Sequence, residues 1–262
     1  MSVDSTTNDM TNDTANDEAT NDTASTRADL ALAFRWAARL GFHEATANHF
    51  SAAVSPAGDR FLLNRRGQHF SQVRASDLLL LDASRAGHGE IDPDADLSAW
   101  HLHAHLHKHV PRARCILHTH MPYTTALACL ADFEFLMLDQ NACRFYGRIA
   151  YDRHYAGVAL DDDEGERVAA LLGDEHSVLF LGNHGVIVVG ESVAEAFDEL
   201  YYLERAAQLQ VLALSTQRPL ALIPDDVAAL ACKQWRDYPD VSALHFLALR
   251  EILDAEGSDY AS

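Results

Sequence analysis

The sequence lacks several features that define common protein classes. Its four cysteines are scattered without a CxxC pair, so they do not suggest a disulfide framework. No apolar run reaches the ~18 residues of a membrane span, and the start lacks the basic and apolar regions of a signal peptide. Basic residues are few, 20 against 39 acidic ones, for a net charge of −19. Such a surface repels phosphate backbones and anionic lipid, so we expect a cytoplasmic protein that binds neither nucleic acid nor membrane.

Composition divides the chain into a polar tail and one large domain. Residues 1–26 repeat Thr-Asn-Asp and hold almost no large apolar side chain, so we expect a disordered acidic tail. Hydrophobic residues make up 48% of the chain, which is enough for a sizeable core. We therefore expect a single domain over 27–262, in which prolines at 219 and 224 separate a helical extension over 215–262.

Strand-like and helix-like patterns interleave along this domain. Two short apolar runs, 50–54 and 61–63, flank a Ser-Pro-Ala-Gly-Asp turn and predict a hairpin, and 133–138 also has the pattern of a strand. Helical spacing recurs at 30–40 and at 161–172. Hairpins mixed with crossovers favour an α/β fold, with a mixed sheet covered by helices.

Fifteen histidines are many for this length, and five of them alternate within one segment: His101, His103, His105, His107 and His109. We favour a helix here, beginning near Ser98 and ending before Pro111, because its apolar residues then form one stripe. His103 and His107 lie on that stripe, one turn apart. The other three histidines are then expected to face solvent.

His118 and His120 form a His-Thr-His motif at the end of the apolar run 115–118. Side chains two residues apart on a strand project from the same face, so both imidazoles can bind one ion. His184 is a candidate third ligand, because it lies in a tight polar connection, 182–185, between two apolar runs. The spacing alone does not bring His184 to the other two.

Seven motifs, in order and at matching spacing over about residues 28–213, resemble those of the class II aldolase/adducin family. They are Asn48-His49-Phe50-Ser51, Leu62-Leu63-Asn64 with Gly67, Ala75-Ser76-Asp77-Leu78, Ile116-Leu117-His118-Thr119-His120, Phe145-Tyr146-Gly147-Arg148, Asn183-His184-Gly185 and Gly190-Glu191-Ser192-Val193-Ala194-Glu195-Ala196-Phe197.

The resemblance implies a three-layer α/β/α domain with a central, mostly antiparallel mixed sheet. It also implies a homotetramer with sites at subunit interfaces, and one divalent metal ion on His118, His120 and His184. We expect zinc, with manganese or iron as alternatives, because three imidazoles suit all of these ions. In such aldolases the metal chelates a small-molecule substrate and stabilises the enediolate or carbanion left when a carbon–carbon bond breaks.

The sequence also departs from the sugar-phosphate aldolases of this family. The family's proton-transferring glutamate aligns with Ala99, which leaves the catalytic residue unknown, and the tyrosine acid aligns near Asp139. Asn48, Gly67 and Ser98 keep matching positions, and we assign them to substrate binding.

Tyr146 and His103 are further substrate-site candidates. Tyr146 could equally be a core aromatic residue, and His103 could be a partner of the ligands or a packed histidine.

Together with these residues, the resemblance implies a divalent-metal-dependent lyase acting on a small hydroxy- or oxo-acid, by aldol-type cleavage or decarboxylation. One alternative is a mononuclear non-heme iron oxygenase on the same three histidines. The other is a non-catalytic, adducin-like scaffold, which is favoured by the loss of the glutamate at Ala99.

Overall fold

The computed structural model describes residues 10–87, 91–238 and 240–262, with only the backbone of 10–21. The strands are β1 (His49–Ala53), β2 (Arg60–Leu63), β3 (Leu79–Asp82), β4 (Cys115–Thr119), β5 (Ile149–Asp152), β6 (Val178–Leu181) and β7 (Gly185–Gly190). The helices are α1 (Met10–Leu40), α2 (Leu97–His109), α3 (Pro122–Ala128), α4 (Asp162–Leu172), α5 (Val193–Ser215), α6 (Asp225–Asp237) and α7 (Val241–Ala255).

The seven strands form one sheet in the order β3-β2-β1-β4-β7-β6-β5. Five of the six pairings are antiparallel, and β5 pairs with β6 in parallel. The predicted mixed, mostly antiparallel sheet is therefore confirmed. Strands β1 and β4 are neighbours in the sheet but not in the sequence, because β2, β3 and α2 lie between them in the chain. Helix α2, in the connection from β3 to β4, packs on one face of the sheet.

Side chains alternate between two buried faces of the sheet. Leu117 points to the larger core, which α1, α3, α5 and α7 cover. Ile116 points to the opposite side, where it packs with Leu102 of α2 and Val168 of α4. Helices thus cover both faces, which confirms the three-layer architecture. Among the described residues, none of the helices combines the length and apolarity needed to cross a bilayer.

The first helix begins earlier than the sequence pattern suggests. The backbone of α1 is helical from Met10, inside the segment 1–26 for which we predict disorder, and residues 1–9 lie outside the described part of the chain. Among the side chains that the structure describes, full burial begins at Leu30. The earlier turns continue the helix of a well-anchored segment, since propagation adds one hydrogen bond per residue once a helix is nucleated.

The prediction of a strand over 133–138 is wrong. In the described part of the chain, its residues do not pair with another strand. A side chain of α5 forms hydrogen bonds with the backbone of this segment instead. The amide of Gln210 accepts from the backbone N–H of Leu136 at 2.9 Å and donates to the carbonyl of Glu134 at 2.7 Å. A single buried glutamine thus satisfies backbone groups that a neighbouring strand would otherwise pair.

Candidate metal centre

The sheet order brings the three predicted ligands together. His118 is on β4, and the neighbouring strand β7 begins directly after His184, in the turn that follows β6. Gly185 makes this approach possible, because a Cβ at that position would lie 2.4 Å from the carbonyl oxygen of Thr119. Asn183 adopts a left-handed conformation, with φ of 56°, which reverses the chain within the turn.

The three imidazole rings face one another at the end of β4. The ring centroid of His118 lies 5.0 Å from that of His120, and the centroid of His184 lies 4.8 Å from each of the other two. One ring nitrogen from each residue lies within 4.8 Å of the others. These residues could therefore hold one metal ion.

Hydrogen bonds set the tautomers of two of these rings. Nδ1 of His118 donates to the carbonyl oxygen of Val186 at 3.0 Å, and Nδ1 of His120 donates to a carboxylate oxygen of Glu44 at 2.7 Å. Each Nε2 then carries a lone pair, which is the form that coordinates metal. Glu44 was not singled out from the sequence; it precedes Asn48 in an irregular loop whose path no periodicity reveals.

The spacing of these two nitrogens fits a cation. Nε2 of His118 lies 3.2 Å from Nε2 of His120. Two lone pairs at this distance repel, and a positive ion coordinated by both removes the repulsion. Tetrahedral zinc with bonds of about 2.0–2.1 Å would place its ligand nitrogens about 3.3 Å apart. The donor set therefore fits a divalent metal ion.

Burial keeps two of the three candidate ligands, His118 and His184, neutral. It lowers the pKa of His118 well below the usual value, with nearby histidines adding to the effect. Burial, followed by the proximity of His120, lowers the pKa of His184 to about 4. Neutral imidazoles can coordinate a metal at neutral pH without first losing a proton.

A buried polar chain leads from the centre into the space below α2. The ring centroid of His49 lies 4.8 Å from that of His118, and Nδ1 of His49 lies 2.7 Å from Nε2 of His103. The hydroxyl of Ser51 bridges Nδ1 of His103, at 2.5 Å, and Nε2 of His107, at 2.8 Å. His103 is fully buried, so its predicted place in substrate binding does not agree with the structure. His103 instead contacts His49, whose ring lies beside that of the candidate ligand His118.

We expect the protein without metal to lose stability as the pH falls from about 6.5 to about 3. Burial lowers the pKa of His107 to about 3 and the pKa of His103 well below its usual value, so the unfolded chain binds more protons across this range. Each such histidine contributes up to about 1.4 kcal/mol per pH unit between its folded pKa and about 6.5. Urea unfolding in chelator at pH 7, 6 and 5 measures the effect.

The variant His107→Phe keeps a ring in contact with Phe61, whose centroid lies 4.6 Å away. It should flatten the pH dependence, whereas the exposed His154, changed to alanine, should leave it unaltered. A free energy of unfolding that is equal at pH 7 and pH 5 would contradict the prediction.

Three predicted substrate residues lie at the same end of the sheet as the histidines. Asn48 directly precedes His49, which pairs with His118 in register. Its Oδ1 accepts from the N–H of Glu44 at 2.7 Å, whereas its buried Nδ2 has no partner among the described residues. Gly67, with φ of 77°, lies in the turn after β2. Ser98 lies in the first turn of α2, where its hydroxyl donates to Asp96 at 2.6 Å.

Tyr146 lies elsewhere. It precedes β5, whose first residue pairs with Val178 at the start of β6, whereas His184 follows the end of β6. Its carbonyl oxygen faces Sγ of Cys232, on α6, at 3.6 Å. Because β5 and β6 are parallel, Tyr146 is at the opposite end of the sheet from the histidines of the same chain. The prediction that it lines their pocket is wrong for a single chain.

Ala99 is buried in the first turns of α2, where it packs with Phe61 and Trp100. The position that we align with the family glutamate is therefore part of an apolar cluster. A cavity of about 590 Å³ opens beside the centre, and its lining includes His43, Glu44, His120, Thr125, Asn183 and His184.

The fold and a matching family model together show the class of this protein. The family model described as "Class II Aldolase and Adducin N-terminal domain" matches residues 28–211. The chain belongs to the class II aldolase/adducin family.

Relatives support this assignment over most of the chain. A putative aldolase class 2 protein of Pseudomonas aeruginosa is 33% identical over 78% of this chain and 77% of its own. A protein named decarboxylase NovR, of Streptomyces niveus, is 30% identical over 84% of this chain and 82% of its own. A solved aldolase II superfamily protein from Pseudomonas syringae superposes with a TM-score of 0.82 and 33% identity, covering 92% of this chain and 96% of that one.

Relatives also differ in their reactions. A protein of Streptomyces roseochromogenus subsp. oscitans named 4-hydroxy-3-prenylphenylpyruvate oxygenase/4-hydroxy-3-prenylbenzoate synthase is 29% identical over 78% of this chain and 73% of its own. Membership of the family therefore supports an enzyme of lyase type without specifying the reaction.

Proposed function

We propose that this protein is a divalent-metal-dependent lyase that acts on a small hydroxy- or oxo-acid, with His118, His120 and His184 as the metal ligands. One observation carries the proposal: three imidazoles converge, and the Nε2 atoms of His118 and His120 face each other across 3.2 Å. Zinc is the ion we favour, with manganese and iron as alternatives. A bound ion would supply Lewis-acid polarisation of the substrate carbonyl.

Ala99 favours decarboxylation over aldol cleavage. Aldol cleavage requires a base that removes the proton of the substrate hydroxyl, and the side chain at Ala99 offers none. Decarboxylation starts from a carboxylate that is already ionised, so bond breaking needs no such base. The resemblance to a relative named as a decarboxylase supports the same choice.

The polar groups beside the centre would bind and orient the substrate acid. Nδ2 of Asn48 is a buried donor without a partner in the described part of the chain, and a substrate carboxylate oxygen would satisfy it. The turn at Gly67 and the hydroxyl of Ser98 are at the same end of the sheet and complete the proposed binding residues.

The proposal is tested by metal analysis followed by turnover. The purified chain is stripped with chelator, reconstituted separately with Zn²⁺, Mn²⁺ or Fe²⁺, and assayed against a panel of small hydroxy- and oxo-acids. Release of CO₂ and release of an aldehyde are measured in parallel, which separates decarboxylation from aldol cleavage. We expect CO₂ release that depends on the metal. A protein that binds the metal but turns over no acid of either type would overturn the proposal.

Asn48→Asp is expected to raise KM by about tenfold or more with a smaller change in kcat. The substitution keeps an oxygen that accepts from Glu44 but replaces the Nδ2 donor with an oxygen that repels a carboxylate. Leaving a buried partner unsatisfied costs about 1–3 kcal/mol, and 1.4 kcal/mol is a factor of ten. Steady-state kinetics measure this. Equal KM values for the variant and the parent would remove Asn48 from the binding site.

An oxygenase is the second candidate, because one relative carries that name. Three histidines with open coordination positions also suit Fe²⁺ and dioxygen. Anaerobic loading with Fe²⁺, followed by oxygen-uptake measurements with aromatic and oxo-acids, separates the two functions. Uptake coupled to substrate loss would favour the oxygenase, and its absence with every acid would remove this candidate.

We also propose a cytoplasmic homotetramer with sites near subunit interfaces. Large exposed apolar side chains on the C-terminal helices support association, since contiguous apolar surface marks interfaces. They include Leu209, Leu212, Leu214, Val227, Leu230, Leu244, Leu247 and Ile252. Light scattering coupled to size-exclusion chromatography measures the oligomeric state; a monomer would contradict this part.

A further inference from the structure

The histidines of α2 form a second cluster, on the side of the helix that faces α4. Gly165 lets the two helices touch, because a Cβ at this position would lie 2.3 Å from the carbonyl oxygen of His101 and 2.6 Å from the ring of His105. His101 and His105 are both buried here, which corrects the expectation that they face solvent. The sequence pattern of α2 could not reveal this, because the approach depends on a glycine of another helix.

Hydrogen bonds to Asp162 determine which nitrogen of each buried ring carries a proton. Its Oδ1 accepts from Nδ1 of His101 at 2.9 Å and from Nε2 of His105 at 2.8 Å. With its proton on Nε2, neutral His105 carries a lone pair on Nδ1. That nitrogen has no hydrogen-bond partner among the described residues. Water cannot easily replace a partner, because the side chain is only 1% exposed. An unpaired acceptor of this kind is costly unless something binds it.

Two further donors lie next to this ring. His109 is one helical turn along α2, with its ring nearly parallel to that of His105 and the centroids 5.8 Å apart. Glu166 is on the facing turn of α4. One donor atom each from His105, His109 and Glu166 lies within 4.8 Å of the others. Because His109 and Glu166 are exposed, they can close to bonding distance by changing rotamer, without moving the backbone.

We propose that His105, His109 and Glu166 form a second divalent-cation site that joins α2 to α4. Two imidazoles and one carboxylate are a ligand set that binds Zn²⁺ with one position left for water. Nitrogen ligands favour Zn²⁺, Co²⁺ or Ni²⁺ over Mg²⁺ and Ca²⁺, which take oxygen. The contact between Asp162 and His105 is the carboxylate–histidine pair that commonly orients a metal ligand. No ligand of this cluster belongs to the centre at His118, so the two sites are independent.

Equilibrium dialysis of the full chain against Zn²⁺, with the bound metal quantified, tests the site. We expect wild type to bind two ions per chain, His184→Ala to keep one, and the double variant His184→Ala/His109→Ala to bind none. In the His184→Ala background, Glu166→Gln should weaken the remaining zinc affinity at least about tenfold. Asp163→Asn is the matched control, because it removes a neighbouring exposed carboxylate of α4 that is outside the cluster.

The outcomes are distinct for the two sites. If the His184→Ala protein binds no zinc, the second site does not exist. The same conclusion follows if the double variant His184→Ala/His109→Ala binds zinc as tightly as His184→Ala does. If wild type binds one ion that is lost on changing His109 but not on changing His184, the second site is supported. The proposed metal site at His118, His120 and His184 is then wrong. Both His109 and Glu166 are exposed, so their variants should fold, and circular dichroism checks that they do.

Discussion

Changing His184 to alanine is expected to release the metal ion from the centre at His118 and to lower kcat/KM by about 10³-fold or more. His184 supplies one of the three converging imidazoles. Lewis-acid stabilisation by a metal contributes several kcal/mol to the transition state, and each 1.36 kcal/mol is a factor of ten in rate. His184 lies in a turn and is only partly buried, so the variant should keep its fold.

Metal content after dialysis is measured in a His109→Ala background, so that zinc at the proposed second site does not contribute, and kinetics are measured on the acid that the panel identifies. His176→Ala serves as the histidine control. Nδ1 of His176 donates to the carbonyl of Leu172 at 2.9 Å, and the residue lies just before β6, at the opposite end of that strand from His184. A His184→Ala protein that keeps its ion and its turnover would refute the assignment of this residue.

Local patterns predict the strand that carries the centre, because strand alternation is independent of the rest of the fold. The His-Thr-His motif ends β4 as expected, and the polar turn at His184 joins two buried strands. The third candidate ligand, His184, is different: its approach depends on β7 pairing with β4 rather than with another strand. That pairing follows from the sheet order, which the spacing of the residues does not reveal; only the resemblance to the family implied that His184 joins the other two.

The errors have a common physical cause, which is contact between distant parts of the chain. The helical pattern over 101–109 is right, yet His105 is buried because Gly165 admits α4. The segment 133–138 has the apolar content of a strand, but Gln210 takes its hydrogen bonds. Tyr146 is far from His184 because β5 runs parallel to β6.

The start of α5 shows that a helix can begin where the local sequence pattern indicates, while its capping side chains form different hydrogen bonds from those of the pattern. The pattern Ser192-Val193-Ala194-Glu195 is typical of a capping box, and Oγ of Ser192 accepts from the N–H of Glu195 at 3.1 Å. The carboxylate of Glu195, however, accepts from the N–H of Glu191 at 3.0 Å instead of returning to the serine. The sequence thus located the helix start, whereas the chain path before the cap decided which N–H the glutamate binds.

Gly185→Ala is expected to destabilise the protein by about 3 kcal/mol and to disrupt the metal centre at the same time. The added Cβ would lie 2.4 Å from the carbonyl oxygen of Thr119 and 2.7 Å from Cδ2 of His120. The first of these atoms is backbone and the second belongs to a ring that Glu44 holds, so β7 must move away from β4. Overpacking of a tight core typically costs about 1–3 kcal/mol, and rigid neighbours place this case at the upper end.

Urea unfolding of the metal-stripped protein measures the loss of stability, and zinc affinity in the His109→Ala background measures the damage to the centre. Gly182→Ala is the matched control in the same turn, because its Cβ would meet backbone atoms at 3.0 Å and 3.4 Å and no ligand ring. We expect a loss of about 1 kcal/mol or less there, with zinc affinity unchanged. The two glycines differ chiefly in the atoms that an added Cβ would contact. Equal losses of stability and of zinc affinity from both substitutions would contradict the prediction. Gly185 would then matter only for the turn and would not set the spacing between His120 and His184.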